Sequence, residues 1–213
     1  MKVDNLTEAF GYRGCSICLI LDRDEYDFMC QFQHRTFQEE KIRQDLVSAN
    51  GYCNFHFYEM ARLTSPLVNA VVVKALIEKE VEKMEKGALP SLGEIDCPVC
   101  EYVGQKEEAH LWEFATLLQD HSLQKKYEST DGLCRIHMKK ILNVLGRNEL
   151  GPFLLHAQGS QLRNLKGELQ DFISKGGRSS KEIGKEKYSW LIAIKKRVGK
   201  KGLPEFLNRN SLK

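Results

Sequence analysis

Cys15-Ser-Ile-Cys18 and Cys97-Pro-Val-Cys100 are each followed downstream by a Gly-x-Cys-x-x-His stretch: Gly51-Tyr-Cys53-Asn-Phe-His56 and Gly132-Leu-Cys134-Arg-Ile-His137. The intervening segments hold 34 and 33 residues, and the two copies stand 81 to 82 residues apart at all four positions. Six of the seven cysteines fall into this pattern, so it is not the scatter of buried thiols. Three thiolates and one imidazole form a complete shell for a tetrahedral divalent ion, and Cys3His is a common structural zinc shell. CxxC delivers two sulfurs to one ion from a tight turn or a first helical turn. Cys and His at i and i+3 project from one face of a helix. At a helix start, free amide N–H groups and the positive dipole end favour thiolate over thiol. The pattern reads as an internal duplication, with one site built from Cys15, Cys18, Cys53 and His56 and the other from Cys97, Cys100, Cys134 and His137. Two zinc ions are the expected cofactors, with an iron–sulfur cluster as the alternative for so sulfur-rich a shell. Four protein ligands leave no position for water or substrate, so the sites read as structural. A labile ligand would instead give a site that senses oxidants or releases metal.

Helices must carry these ligands. Around Leu111, Phe114, Ala115 and Leu118 the apolar residues recur at i, i+3, i+4 and i+7, the stripe of an amphipathic helix. Tyr26, Cys30 and Phe37, with Phe28 and Phe32, mark a less regular helix in the first copy. A helix of about 18 residues takes the chain about 27 Å away, so a shorter polar helix has to return it. Glu39 to Ser48 and Leu123 to Glu128 are the candidates. Gly51 and Gly132 suit the left-handed turn that closes each return. Ser65-Pro66 and Gly151-Pro152 open a further helix in each copy. The first runs from Pro66 to Met84, with Val73, Ile77, Val81 and Met84 on one face; the second runs from Pro152 to about Ser174. Trp190, Leu191, Ile194 and Val198 mark a last helix. The expected fold is all-α: a duplicated unit of long helix, short return helix, CxxH helix and long helix, each copy pinned by its own Cys3His site. Residues 1–87 form the first repeat, 88–175 the second, and 176–213 a basic C-terminal helical tail packing on the body.

Other candidates carry less chemistry. Cys30 has no counterpart in the second copy and reads as a core thiol. Glu107-Glu-Ala-His110 has the Glu-x-x-His spacing of di-iron bundles, which need that motif twice with two further glutamates. The first copy has Glu25 and Phe28 at the matching places, so the pair reads as surface decoration. His34, His121 and His156 read as ordinary. No phosphate-cradling glycine loop, nucleophile elbow or HExxH is present, and no catalytic set assembles.

The composition, 42% apolar and 29% charged over 213 residues, is that of an ordinary globular protein. MKVDNLTEAF lacks the basic and then apolar run of a secretory signal. The longest apolar stretch, Leu67 to Ile77, is too short for a membrane span. A cytoplasmic protein is expected, whose cysteines are ligands before they are disulfides. The net charge of +3 is asymmetric, because 12 Lys/Arg face 3 Asp/Glu from Lys175 onward. Such a tail suits nucleic acid or an acidic partner, and equally a solvated helix on its own acidic body.

CSIC…GYCNFH and CPVC…GLCRIH, followed by Tyr188-Ser-Trp190-Leu-Ile-Ala-Ile-Lys-Lys-Arg-Val-Gly199, resemble a family of bacterial proteins of unknown function. Those proteins have two CPxC…GxCxxH units and a late Trp-containing helix before a glycine. Ser16 departs from the family's proline without removing a ligand. The resemblance covers nearly the whole chain and implies the fold and metal binding, but no activity.

The functional expectation is a non-enzymatic, metal-binding helical protein that acts as an interaction or accessory module. A protein partner is favoured; nucleic acid is less so, since only Tyr188 and Trp190 interleave aromatics with the basic residues. No membrane partner is expected. The alternatives are an iron–sulfur electron-transfer accessory protein and an enzyme with one opened site.

Overall fold

Leu111, Phe114, Ala115 and Leu118 are all buried in the computed structural model, which describes residues 3–88, 95–176 and 185–201. They turn inward along and just beyond α6 (Pro98–Leu117). The other α-helices among the described residues are α1 (Leu6–Ala9), α2 (Ser16–Gln38), α3 (Glu40–Ser48), α4 (Asn54–Leu63), α5 (Pro66–Glu85), α7 (His121–Glu128), α8 (Arg135–Leu145), α9 (Leu150–Ser174) and α10 (Ser189–Val198). A 3-10 turn (Lys185–Tyr188) precedes α10, and no strand occurs among the described residues, so the all-α expectation holds. The order long, short, CxxH, long recurs as α2–α5 and α6–α9. Residues 89–94, 177–184 and 202–213, which include much of the expected basic tail, lie outside the described residues.

Caps explain where helices begin. α7 starts at His121 rather than Leu123 because Asp120 accepts a hydrogen bond from Ser122 N at 2.7 Å. α9 starts at Leu150, where Asn148 Oδ1 accepts from Leu150 N at 3.0 Å. Pro152 then lies in the first turn, where its missing N–H costs no intrahelical bond. Both glycines of the repeated motif are left-handed as expected, Gly51 at φ 84° and Gly132 at φ 76°. A Cβ on Gly51 would also stand 2.9 Å from Phe57 Cζ. Gly51→Ala is expected to lower stability by about 1–2 kcal/mol through its positive φ and that contact, read as a shift of the denaturant midpoint at unchanged slope.

The chain groups into two compact units, Met1–Asp22 with Glu107–Lys213, and Arg23–Lys106. The divisions fall inside α2 and inside α6. In the first unit Tyr127 is fully buried with Phe10 and Phe114, the Phe114–Tyr127 rings meeting edge to face at 5.4 Å. α9 packs on α7 and α8, and α10 packs on α8 and α9. In the second unit Met29, Leu46, Tyr52 and Met60 are buried, Phe28 stacks on Tyr102 at 4.2 Å, and α5 packs on α3 and α4.

The inward face of α2 differs in part from the expected one: Phe28 and Phe32 pack, but the other expected residues do not. Tyr26 and Phe37 are exposed and Cys30 is only half-buried, so Cys30 is not a core thiol. The packed stripe is Phe28, Met29, Phe32 and Thr36, whose i, i+4 spacing competes with Tyr26, Cys30 and Phe37 on another side. Val73, Ile77, Val81 and Met84 do share one face of α5, but that face meets solvent. Trp190, Leu191, Ile194 and Val198 are likewise exposed on α10, which packs inward through Ser189, Ile192 and Lys196. No helix among the described residues is long and apolar enough to cross a membrane.

Candidate metal centres

All eight expected ligands assemble into two quartets, but the pairing is exchanged between the copies. Cys15 and Cys18 meet Cys134 and His137; Cys97 and Cys100 meet Cys53 and His56. The expected sites Cys15–Cys18–Cys53–His56 and Cys97–Cys100–Cys134–His137 are therefore overturned. Helix lengths give the reason. The 20 residues of α2 beyond Cys18 carry the chain about 30 Å away, and the nine of α3 return it by about 13 Å. In the second copy α6 advances about 30 Å and α7 returns about 12 Å. Neither CxxH gets back to its own CxxC.

The ligand atoms of each quartet all lie within 4.8 Å of one another. Cys18 and Cys134 sulfurs are 3.7 Å apart, and Cys53 and Cys100 sulfurs 3.6 Å. Nδ1 of His137 is 3.4, 3.3 and 3.3 Å from the sulfurs of Cys15, Cys18 and Cys134. Nδ1 of His56 is 3.1, 3.4 and 3.3 Å from those of Cys53, Cys97 and Cys100. Tetrahedral bonding of sulfur and nitrogen to a zinc-sized ion gives edges of about 3.8 and 3.6 Å, so each quartet encloses the space of one such ion. All seven cysteines are free thiols.

Backbone ends aim the ligands. Cys53 and Cys134 are the N-caps of α4 and α8, and Cys134 Sγ accepts from His137 N at 3.4 Å. Asp131 ties the two halves of the first quartet together. Its carboxylate accepts from Arg13 Nε at 2.8 Å and from Gly14 N, the residue before Cys15, at 2.6 Å. Arg13 also pairs with Glu168 at 2.7 Å. α9 holds the loop before Cys134 through Gln158, which bonds both N and O of Leu133, and through Gln161, which donates to Tyr127 O. Lys196 Nζ donates to the carbonyls of Asp131 and Leu133. In the second quartet Asp96 N donates to Ala49 O, and Lys79 of α5 donates to Val47 O and Asn50 Oδ1.

Behind each imidazole stands a carboxylate that the sequence reading dismissed. Glu25 Oε1 is 2.7 Å from His56 Nε2, and Glu107 Oε1 is 3.0 Å from His137 Nε2. Glu107 is buried, not surface decoration, and its other oxygen takes Lys140 Nζ at 2.6 Å. The two glutamates lie 82 residues apart, the offset of the ligands themselves, which is the signal that finds them. His110, the other half of the supposed Glu-x-x-His pair, faces Glu113 instead. Cys30 belongs to neither quartet, and His34, His121 and His156 are exposed outside both.

The electrostatics follow from this crowding. Burial opposes charge on His56, yet Cys53, Cys97 and Glu25 outweigh it and push its pKa up to about 11. His137 is raised against its burial by Cys134 and Glu107. Burial would likewise keep Glu107 neutral, but bonds from His137 and Lys140 hold its pKa below the usual carboxylate value. The sulfurs share too little positive charge to ionise together. Hydrogen bonds from Cys134 and Cys18 lower Cys15 despite burial, while Cys134 and Cys15 raise Cys18. In the other quartet Cys100 and Cys97 lower Cys53, and Cys53 and Cys97 raise Cys100. A divalent cation supplies the missing charge and turns such thiols into thiolates. A carboxylate on the far imidazole nitrogen fixes the tautomer that presents Nδ1 and strengthens it as a ligand. Glu25→Gln and Glu107→Gln are each expected to weaken metal affinity at their own quartet roughly 10–100-fold, measured by competition with a chromogenic chelator, with the other quartet unchanged.

No curated protein and no solved structure matches the chain. Residues 5–183, a span that holds all eight ligands and both carboxylates but ends before α10, match the model of a family of unknown function (DUF6062), and the chain belongs to that family.

Proposed function

We propose that the protein is a helical module stapled by two structural zinc ions, acting by binding another macromolecule rather than by catalysis. The observation that carries this is the closed shell: three sulfurs and one imidazole nitrogen, all within 4.8 Å of one another, occupy every tetrahedral position. The narrow spacing favours a single ion over an iron–sulfur cluster, whose ligands are spread over two or more irons. Recurrence of the four helices and of the Glu–His pairs at one offset supports an internal duplication.

The interaction role rests on two solvent-facing apolar stripes, Val73–Ile77–Val81–Met84 on α5 and Trp190–Leu191–Ile194–Val198 on α10. Contiguous exposed apolar surface of this kind marks protein contact sites. A protein partner is preferred to nucleic acid, and seven free thiols suit the reducing cytoplasm.

Elemental analysis of protein purified without added metal tests the metal reading. A colourless preparation with about two zinc per chain is expected, and stoichiometric iron with visible absorbance would overturn zinc. Salt-sensitive retention on a nucleic-acid column would move the partner reading to nucleic acid.

A further inference from the structure

We propose that the groove walled by α8, α9 and α10 binds a small anionic amphiphile, a dissolved molecule with an apolar body and a carboxylate or phosphate head. This site lies apart from the cysteines and stands whichever metal the quartets hold. The groove encloses about 600 Å³, within the roughly 300–1,000 Å³ of small-ligand sites. Its lining on α9 runs from Gln158 to Leu169, about 16 Å of helix, long enough for an extended acyl chain.

The floor is apolar. Met138 and Leu165 are buried there, Leu142 and Leu169 are half-buried, and Leu162 is 46% exposed, so a ligand body gains contact with surface that water now covers. The rim is of one sign. Arg135 and Lys139 come from α8, Lys166 from α9, and Arg197 from α10, all exposed, while no carboxylate among the described residues lines the groove. Lys139, Lys166 and Arg197, one on each wall, give an acidic head a choice of charge-assisted bonds, bidentate at Arg197. A fifth cation, Lys196, also lines the groove, but its ammonium is committed to the carbonyls of Asp131 and Leu133. It belongs to the wall and not to the head-group site. A neutral apolar ligand would leave the rim unused, and a cationic one would be repelled.

The test titrates decanoate and decyl phosphate, below their micelle concentrations, into full-length metal-loaded protein by calorimetry. Saturable binding at one site per chain is expected for both, with decanol and decyltrimethylammonium at least tenfold weaker. Lys139→Glu with Arg197→Glu should weaken the anions at least tenfold, and Leu162→Glu should do the same by placing a carboxylate on the floor. Lys125→Glu, at an exposed position of α7 outside the groove, should leave binding unchanged. All these positions are exposed, and an unchanged melting curve confirms that each variant folds. The proposal is overturned by an absence of saturable binding, by decanol binding as tightly as decanoate, or by equal losses from Lys125→Glu. It is equally overturned if anionic vesicles bind while dissolved anions do not, or if decanoate fails to displace an acidic amphipathic peptide that binds.

Discussion

Serine at both Cys15 and Cys134 is expected to leave one metal ion per chain, whereas serine at both Cys15 and Cys53 is expected to leave none. The first pair disarms one quartet twice, and the second disarms each quartet once. Pairing within each copy would give the opposite result, so metal counting on these two proteins decides the topology without a structure. The effect on stability is large as well. A structural zinc contributes roughly 10–16 kcal/mol of apparent binding energy in zinc-finger peptides, against a total of about 5–15 kcal/mol for an ordinary domain. Loss of the Cys15 quartet should therefore unfold at least the part of the first unit that it pins. Circular dichroism should show cooperative loss of helix well below the parent melting temperature, and a strong chelator should reproduce it on the unmutated chain. Retention of both ions by the Cys15/Cys134 variant would sink the pairing.

Lys196→Met is the second large change. Lys196 is 5% exposed on α10, and its ammonium is the donor to the carbonyls of Asp131 and Leu133, on either side of Gly132. Burial lowers its pKa to about 8, partly offset by Cys15 and Asp131. Methionine removes the desolvation cost of that cation but takes the lysine donor from Asp131 O, at about 1–3 kcal/mol, while Leu133 O keeps its bond from Gln158 Nε2. A net loss of about 1–3 kcal/mol is expected from urea titration. The loss should be accompanied by faster metal release from the Cys134 quartet than from the Cys53 quartet, since only the former's loop is held by Lys196. Equal release from both quartets would show that the loop does not depend on this contact.

Local signals in the sequence were dependable where the chain itself supplies the constraint. The stripe at Leu111, Phe114, Ala115 and Leu118 is buried, and both motif glycines take the left-handed turn that an approach to CxxH requires. The eight cysteines and histidines that cluster are also legible, because thiols and imidazoles at fixed short spacing have few other uses. The pairing was not read correctly, although the lengths of α2 and α3 contain the answer: a nine-residue return cannot undo a 20-residue advance. Glu25 and Glu107 stand at the repeat offset, but the Glu-x-x-His spacing of Glu107 points to His110, whereas the partners are His56 and His137, which lie farther along the chain. Asp131, Gln158 and Lys196 hold the ligand loops through contacts between distant segments, and no periodicity announces such contacts. Burial of α2 misled because two apolar stripes compete on one helix and only tertiary packing selects between them.

The exchanged ligands also set an order of events for a chain emerging from the ribosome. Cys53 and Cys100 are separated by 47 positions, whereas Cys15 and His137 are separated by 122, so one closure is nested inside the other. If the quartets take up metal, the inner one can close once residue 100 is free of the exit tunnel. The outer one must wait for residue 137, with Cys15 and Cys18 kept reduced and unclaimed meanwhile. At about 5–20 residues per second that wait lasts a few seconds, during which the first two thiols made are the last to find their ion.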